Sequence, residues 1–300
     1  MAAPAILLVD KPGGVTSHDV VARARKALGT RKIGHAGTLD PMATGLLVLG
    51  VEGATRLLTY LVGLDKTYEA TIRLGVSTDS DDADGLETAR ADAAALAAVT
   101  PEMIASGIAA LTGPISQIPS TVSAIKVGGR RAYDLAREGV DVELKARNVT
   151  VSRFEVLRSS ASEGFIDLDV VVDCSSGTYI RALARDLGAA VGVGGHLTAL
   201  RRTHVGPFDV AGAASLDDLA GGPSLSPAEV ASAVLGRVDV TDDEARDLRH
   251  GKRLSGAGAR MAGDTAAAIE PSGALVGILE RRGADLKSGM NMPTTPEEAP

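Results

Sequence analysis

Two alternating runs stand almost back to back in this chain. VTVSRFEVLR at 149–158 and FIDLDVVVDCSS at 165–176 each alternate apolar and polar side chains, and only residues 159–164 separate them. A period of two is what a strand with one buried face requires, and so short a connection cannot hold the crossover that a parallel pair needs. KTYEATIRLGV alternates in the same way, and AILLVDKP and TGLLVLG read as short buried strands. Strands that follow strands directly imply an α+β fold around a mixed, mainly antiparallel sheet rather than a doubly wound one. Helices flank it. Ser17 is expected to cap one in which Val20, Val21, Ala24 and Leu28 recur before Gly29, and TRLLTYLVGL, RAYDLAREG and TYIRALARDLGAAVG share the helical period.

Near residue 220 the texture changes. AGGPSLSP is rich in Gly, Pro and Ser, a helical stretch runs to about Leu235, and short strands with Gly turns follow. The expected organisation is one domain over 1–235, a small β-rich domain over 236–292, and a polar, Pro-rich tail over 293–300 without a packed structure. A chain of 300 residues buries roughly 75% of its unfolded surface and needs no covalent staples. The lone Cys174 excludes an intrachain disulfide and a Cys-based zinc site. MAAPAILLVDKPGG has no basic leader, its apolar run breaks at Asp10, and no stretch approaches the roughly 18 apolar residues of a membrane span. A cytoplasmic chain is expected, away from membranes. It is expected to be a monomer with no obligate protein partner, because no long apolar surface stripe is apparent.

The net charge is −7, but seven of the acids lie in residues 79–102 against Arg90 alone. That segment reads as an exposed acidic loop leading into an Ala-rich helix. The remainder is close to neutral and carries basic clusters: Arg23, Arg25, Lys26, Arg31 and Lys32; Lys126, Arg130 and Arg131; Arg201 and Arg202. Any one could be a solvated face. Three of them flanking Gly-rich loops point to phosphate contacts.

Several catalytic signatures are absent: no GxxxxGK[ST] loop, no GxSxG elbow and no HExxH pair. GVGGHL lacks the third glycine of a dinucleotide fingerprint. DSDDADG fails as a calcium loop, since Gly85 at the sixth place puts Ser80 first and Ala91 where a bidentate Glu is required. Cys174, in an alternating strand, reads as a buried structural thiol. GHAGTLDPMATGLLVLG, residues 34–50, is more informative. Its single carboxylate, Asp40, could be an ordinary turn residue before proline. Yet Gly34, Gly37 and Gly45 allow backbone to approach something large, and the strand behind would hold the loop rigid. His35, between two glycines, is a better ligand contact than His18 or His250. Arg181 falls near the start of its helix, where the dipole disfavours a cation, so an acid such as Asp40 would suit it as a bidentate partner. Aromatics are scarce, with no Trp, three Phe and four Tyr. Tyr68, Tyr133 and Tyr179 all lie near basic residues and could stack on an exposed base or pack in the core.

With these residues in view, the chain resembles the TruB-type tRNA pseudouridine-55 synthases over nearly its whole length. LLVDKPGGVTSHDVVARARK, GHAGTLDPMATGLL, LDKTYEATIRLGVSTDSDDADG, QIPSTVSAIKVGGRRAYDLAREG, CSSGTYIRALARDLG and HLTALRRTHVGPF resemble the family's motifs in the family's order. The piece from about Val238 to Met292 resembles, more weakly, a shortened RNA-binding PUA domain. Ser120 and Thr121 stand where the family often has two prolines. The resemblance implies a pseudouridine synthase fold and an isomerase that converts uridine 55 in the T-loop of tRNA. It implies Asp40 as the nucleophile, Arg181 as its partner, Tyr68 against the target base, Leu200 lining the pocket and His35 holding the flipped T-loop. Lys11, Lys126, Arg130, Arg131, Tyr179, Arg201 and Arg202 are the further substrate-binding candidates, and residues 117–147 the tRNA-gripping loop. No cofactor or metal is expected, because the isomerisation is redox-neutral and releases no group. A different class of reading remains open, an RNA-binding tRNA chaperone in which the acid is incidental.

Overall fold

The two back-to-back runs form the hairpin their spacing predicts. In the computed structural model, Arg147–Ser162 pairs antiparallel with Phe165–Cys174, from Val151 opposite Cys174 to Ser162 opposite Phe165. The structure describes residues 2–120, 126–127, 130–131 and 144–293, with backbone alone for 126–127 and 130–131. Two compact units result, one of residues 42–44 and 64–204, the other of 1–41, 45–63 and 205–300.

In the first of these units the strand order is Gly195–Val205, Lys66–Leu74, Phe165–Cys174, Arg147–Ser162 and Gly113–Gln117. Lys66, Tyr68, Ala70, Ile72 and Leu74 alternate onto the buried face of their strand, and Tyr68 lies opposite Val172. On the other face cross-strand pairs hold the charges: Arg73 bonds Asp167 in bidentate fashion at 2.8 and 2.7 Å, and Asp169 accepts from Thr71 at 2.8 Å and Arg158 at 2.9 Å. The helix Ile180–Val191 buries Ile180, Leu183, Leu187 and Val191, each worth roughly 1.5–3 kcal/mol of apolar transfer. Helix Pro101–Ala110 packs against it through Gly107, whose absent Cβ would meet Leu187 at 2.7 Å.

In the second unit Ala5–Lys11 and Thr44–Val51 run antiparallel, Ala5 opposite Val51 and Lys11 opposite Gly45, and Ile33–Ala36 also pairs with the latter strand. Helix Ser17–Leu28 is capped by Thr16, not by Ser17: Thr16 Oγ1 accepts the Asp19 N–H at 3.1 Å while Asp19 accepts the Thr16 N–H at 2.8 Å. Ser17, the first helical residue, is thereby released for another use. TRLLTYLVGL yields only a tight 3-10 segment, Glu52–Leu57, and one turn, Leu58–Leu61. Residues 237–291 build a five-stranded sheet in the order Arg237–Asp239, Thr265–Ile269, Leu275–Arg282, Asp285–Asn291, Arg253–Leu254. Helix Asp242–Arg249 closes its core with Ala245 and Leu248 beside Val276, Leu279 and Leu286.

No described helix is long and apolar enough to cross a membrane. Most of the expected gripping loop, the helix expected in RAYDLAREG, Tyr133 and residues 294–300 lie outside the described residues. Within that loop the backbone pairs Lys126 with Arg131 and Val127 with Arg130; the side chains of Lys126, Arg130 and Arg131 are outside the description.

Candidate active site

Asp40 lies between the strands Ile33–Ala36 and Thr44–Val51 and is half-buried. The residues on either side of it are held by the segment DKPGGVTS. Ser17 Oγ accepts the Leu39 N–H at 2.9 Å and donates back to the Leu39 carbonyl at 3.2 Å. The Pro41 carbonyl accepts from the Gly14 N–H at 2.9 Å and from Lys11 Nζ at 3.2 Å. Lys11 Nζ also donates to the carbonyls of Pro12 at 2.9 Å and Val15 at 2.8 Å. Gly37 and Gly45 take φ of +87° and +99°, a region that disfavours residues with a Cβ. Gly34 lies close to Leu58, whose Cδ1 would be 3.0 Å from a Cβ at this position. The loop is thus rigid at its backbone around one acid.

Lys11 is fully buried and its ammonium donates to carbonyls of the loop. Burial of a lysine stem and head is tolerable only when its donors are used in this way. His35 is half-buried, and its ring meets that of His18 edge-on at 5.6 Å and 83°. His18, ranked below His35 by sequence, is therefore its neighbour.

The other candidates lie in residues 64–204. Arg181 is 3% exposed and falls in the first turn of the helix that begins at Ile180. Its Nη1 donates to the Ser80 carbonyl at 2.8 Å and lies 3.3 Å from Asp82 Oδ2. These acceptors offset both the loss of hydration and the unfavourable end of the helix dipole. Asp82 is itself oriented, since its Oδ1 accepts the Asp84 N–H at 3.1 Å and the Ser80 hydroxyl at 2.5 Å, and Thr78 Oγ1 donates to its carbonyl at 2.7 Å. The acidic stretch is accordingly not an exposed loop at this point. Ser80, Asp81 and Asp82 are all buried, because the turn is the docking place for a guanidinium. Sequence reasoning missed Asp82, because Arg181 lies about a hundred residues further along the chain.

Tyr68 is buried two residues beyond Lys66 on the same face. Burial, and next the charge of Arg202, lowers the Lys66 ammonium to about 8. Cys174, opposite Lys66 in the sheet, is buried as expected, and burial raises its thiol to about 11. The Tyr179 peptide is clasped by the Gln117 side chain, which donates to its carbonyl at 3.0 Å and accepts its N–H at 2.8 Å. Leu200 and Arg201, together with Met42 and Thr44 just beyond Asp40 in the chain, line an open cavity of about 540 Å³. That size is within the range of small-ligand sites. Arg202 is 1% exposed. Among the described residues no group of three or more His, Cys, Asp or Glu side chains is arranged to hold a metal ion.

Comparison with known proteins gives the following matches. Residues 25–180 match the TruB family pseudouridylate synthase (N terminal domain), residues 181–229 the tRNA pseudouridylate synthase B C-terminal domain, and residues 235–293 the tRNA Pseudouridine synthase II, C terminal. A tRNA pseudouridine synthase B of Leifsonia xyli subsp. xyli (strain CTCB07) is 58% identical over 295 residues, 98% of each chain. One from Rhodococcus jostii (strain RHA1) is 55% identical, with 95% of this chain and 92% of that one covered. Among solved structures, a chain of an H/ACA RNP bound to a substrate RNA containing 2'-deoxyuridine shares the fold with TM-score 0.71 at 24% identity, covering 97% of this chain and 85% of its own. A chain of a Cbf5-Nop10-Gar1 complex matches with TM-score 0.68 at 25% identity, over 97% and 84%.

Proposed function

The chain belongs to the TruB family of pseudouridylate synthases, and from that premise we propose that it isomerises uridine 55 in the T-loop of tRNA, with Asp40 as the nucleophile. The C1′–N1 glycosidic bond breaks, the freed uracil turns, and a C1′–C5 bond forms; C5 gives up a proton and N1 gains one. An ionised carboxylate in a fixed position is what the first step requires. The observation that carries this reading is the double clamp on Leu39 and Pro41, which leaves Asp40 as the one acid of a backbone that cannot drift.

In this reading Arg181 pairs with Asp40, while Ser80 and Asp82 hold the guanidinium at Nη1. Tyr68 stacks against the target base, Leu200 lines the pocket, and His35 holds the flipped T-loop. Tyr179, Arg201, Lys126, Arg130 and Arg131 contact the T-stem and T-loop. A uracil in a folded tRNA elbow must be everted at a cost of a few kcal/mol, offset by stacking and phosphate contacts. The same reading makes the protein a cytoplasmic monomer that works without cofactor or metal.

The test is to incubate purified protein with an unmodified tRNA transcript and a metal chelator, and to map pseudouridine by position. Product at position 55 is expected. Asp40→Asn should lose roughly four orders of magnitude or more in single-turnover rate and still bind tRNA. Product only at another position would overturn the substrate; refolding of tRNA without any product would favour the chaperone.

A further inference from the structure

Arg185 takes no part in the proposed chemistry, yet its guanidinium is engaged on three sides. Nη1 donates to Asp81 Oδ2 at 3.1 Å, Nε to Asp186 Oδ1 at 2.9 Å, and Nη2 to the Ile118 carbonyl at 2.7 Å. Arg181 lies four residues earlier on the same helix, hence on the same face, and binds Ser80 and Asp82. Two arginines one turn apart thus grip three consecutive residues of one turn. The middle residue, Asp81, has φ +61°, a conformation that persists where the surroundings impose it. They do: the Asp81 carbonyl accepts the Leu197 N–H at 3.0 Å while its carboxylate is held by Arg185.

The same helix also secures the end of the strand Gly113–Gln117. Gln117 clasps the peptide of Tyr179 just before the helix, and Arg185 takes the carbonyl of the next residue, Ile118. The chain therefore enters the expected tRNA-gripping loop from a point fixed twice to the helix that carries Arg181.

We propose that Arg185 is a positioning residue that acts through Arg181: by holding Asp81 and the Ile118 carbonyl together it sets the turn that aims Arg181, and joins it to the root of the tRNA-gripping loop. This rests on the assignment of Arg181 to the reaction. Arg185 retains 31% of its side-chain exposure but Asp81 only 11%, so removing the guanidinium leaves a buried carboxylate without this partner and lowers the melting temperature as well. Its removal should be felt in rate, because small misplacements of reacting groups are expensive.

The experiment measures single-turnover pseudouridine formation, tRNA Kd and melting temperature for the wild type, Arg185→Met, Arg185→Lys, Asp81→Asn and the Arg185→Met/Asp81→Asn double variant. Arg185→Met should slow the chemical step roughly tenfold or more with Kd changed less than about threefold. Arg185→Lys, which keeps the pair with Asp81, should recover part of the rate. The double variant should be no slower than the slower single, as for two members of one unit. An unchanged rate in Arg185→Met, a loss confined to Kd, or additive losses would each overturn the inference. If Arg185→Met does not fold, Arg185→Lys and Asp81→Asn decide it: both at wild-type rate would sink it. A wild type that makes no pseudouridine would instead refute the proposed function; an active wild type with unaffected variants refutes only the role of Arg185.

Discussion

Ser17 carries two hydrogen bonds to one residue, Leu39, from a site that is 1% exposed. Ser17→Ala leaves a buried N–H and a buried carbonyl unpaired, so a loss of about 1–3 kcal/mol in stability is expected. The position of Asp40 should loosen with it, slowing the chemical step roughly tenfold to a hundredfold. Urea titration and single-turnover kinetics measure the two effects, and stability lost with full rate retained would show that the clamp does not aim the acid. Lys66 and Cys174 make a second prediction, in which the signs oppose. Lys66 titrates at about 8 folded and at 10.5 unfolded, so between these values the unfolded chain holds the extra proton and stability rises with pH. Cys174 titrates at about 11 folded and at 9.0 unfolded, so between these values the folded chain holds the extra proton and stability falls with pH. Each contributes a slope of up to about 1.4 kcal/mol per pH unit. Stability should climb from pH ~8 to ~9 and then level off, whereas Cys174→Ala should go on climbing to about pH 10.5. Denaturation at stepped pH distinguishes the curves, and an unbroken climb in the wild type would contradict the raised thiol.

At the scale of elements, the helix Ile180–Val191 depends on how closely its end can be approached. Gly192 terminates it at φ +82°, and the chain folds straight back so that Gly194 and Gly195 cross Gly188. A Cβ at Gly188 would lie 2.2 Å from Gly194 C and Gly195 N, both backbone atoms. Gly188→Ala must therefore push the turn away and strain the start of the strand Gly195–Val205, at about 3 kcal/mol or more. Gly63→Ala, which meets nothing within 4 Å, is the matched control and should melt within about 2 °C of the wild type. Equal melting temperatures for the two variants would show that the contact relaxes freely. The helix carries Arg181 and Arg185 on one face, so what fixes its end also fixes the acidic turn they hold.

Across the whole molecule, the most telling feature is that the C-terminal sheet does not keep its apolar surface to itself. Ala267, Ile269, Leu275 and Ile278 pack with Leu57 and Ala231, and Tyr60, Ala228 and Leu235 extend the cluster. Arg56 Nη1 donates to the Asn291 carbonyl at 2.6 Å, and Gly53 lies against Pro293. A chain ended after Leu235 should consequently expose Leu57 and Ala231, melt at least several degrees lower and bind a hydrophobic dye. A truncated chain with an unchanged melting temperature would mean that this shared core contributes nothing. The charge balance has a similarly collective character. The net −7 includes acids spent on internal partners: Asp81 and Asp82 on helix arginines, Asp167 and Asp173 on cross-strand arginines.

Local patterns were legible because their causes are local. The hairpin of Arg147–Ser162 with Phe165–Cys174 follows from a period of two and a short turn, and the sharp backbone around Asp40 follows from Gly37 and Gly45. The family resemblance added the rest of that reading. The uses of Ser17, Lys11 and Asp82 were not legible. Ser17 looked like a cap and Lys11 like a phosphate ligand, since a hydroxyl or an ammonium has the same chemistry wherever it stands. The Leu39 carbonyl that Ser17 meets lies 22 residues away, the farthest of the three carbonyls on Lys11 lies 30 away, and the acceptor of Arg181 about a hundred. Which distant carbonyl or carboxylate a buried donor meets is decided by how strands and helices pack, because burial removes water as the alternative partner. The sequence by itself determined the strands, the loop and its acid; only the tertiary structure decided what holds them still.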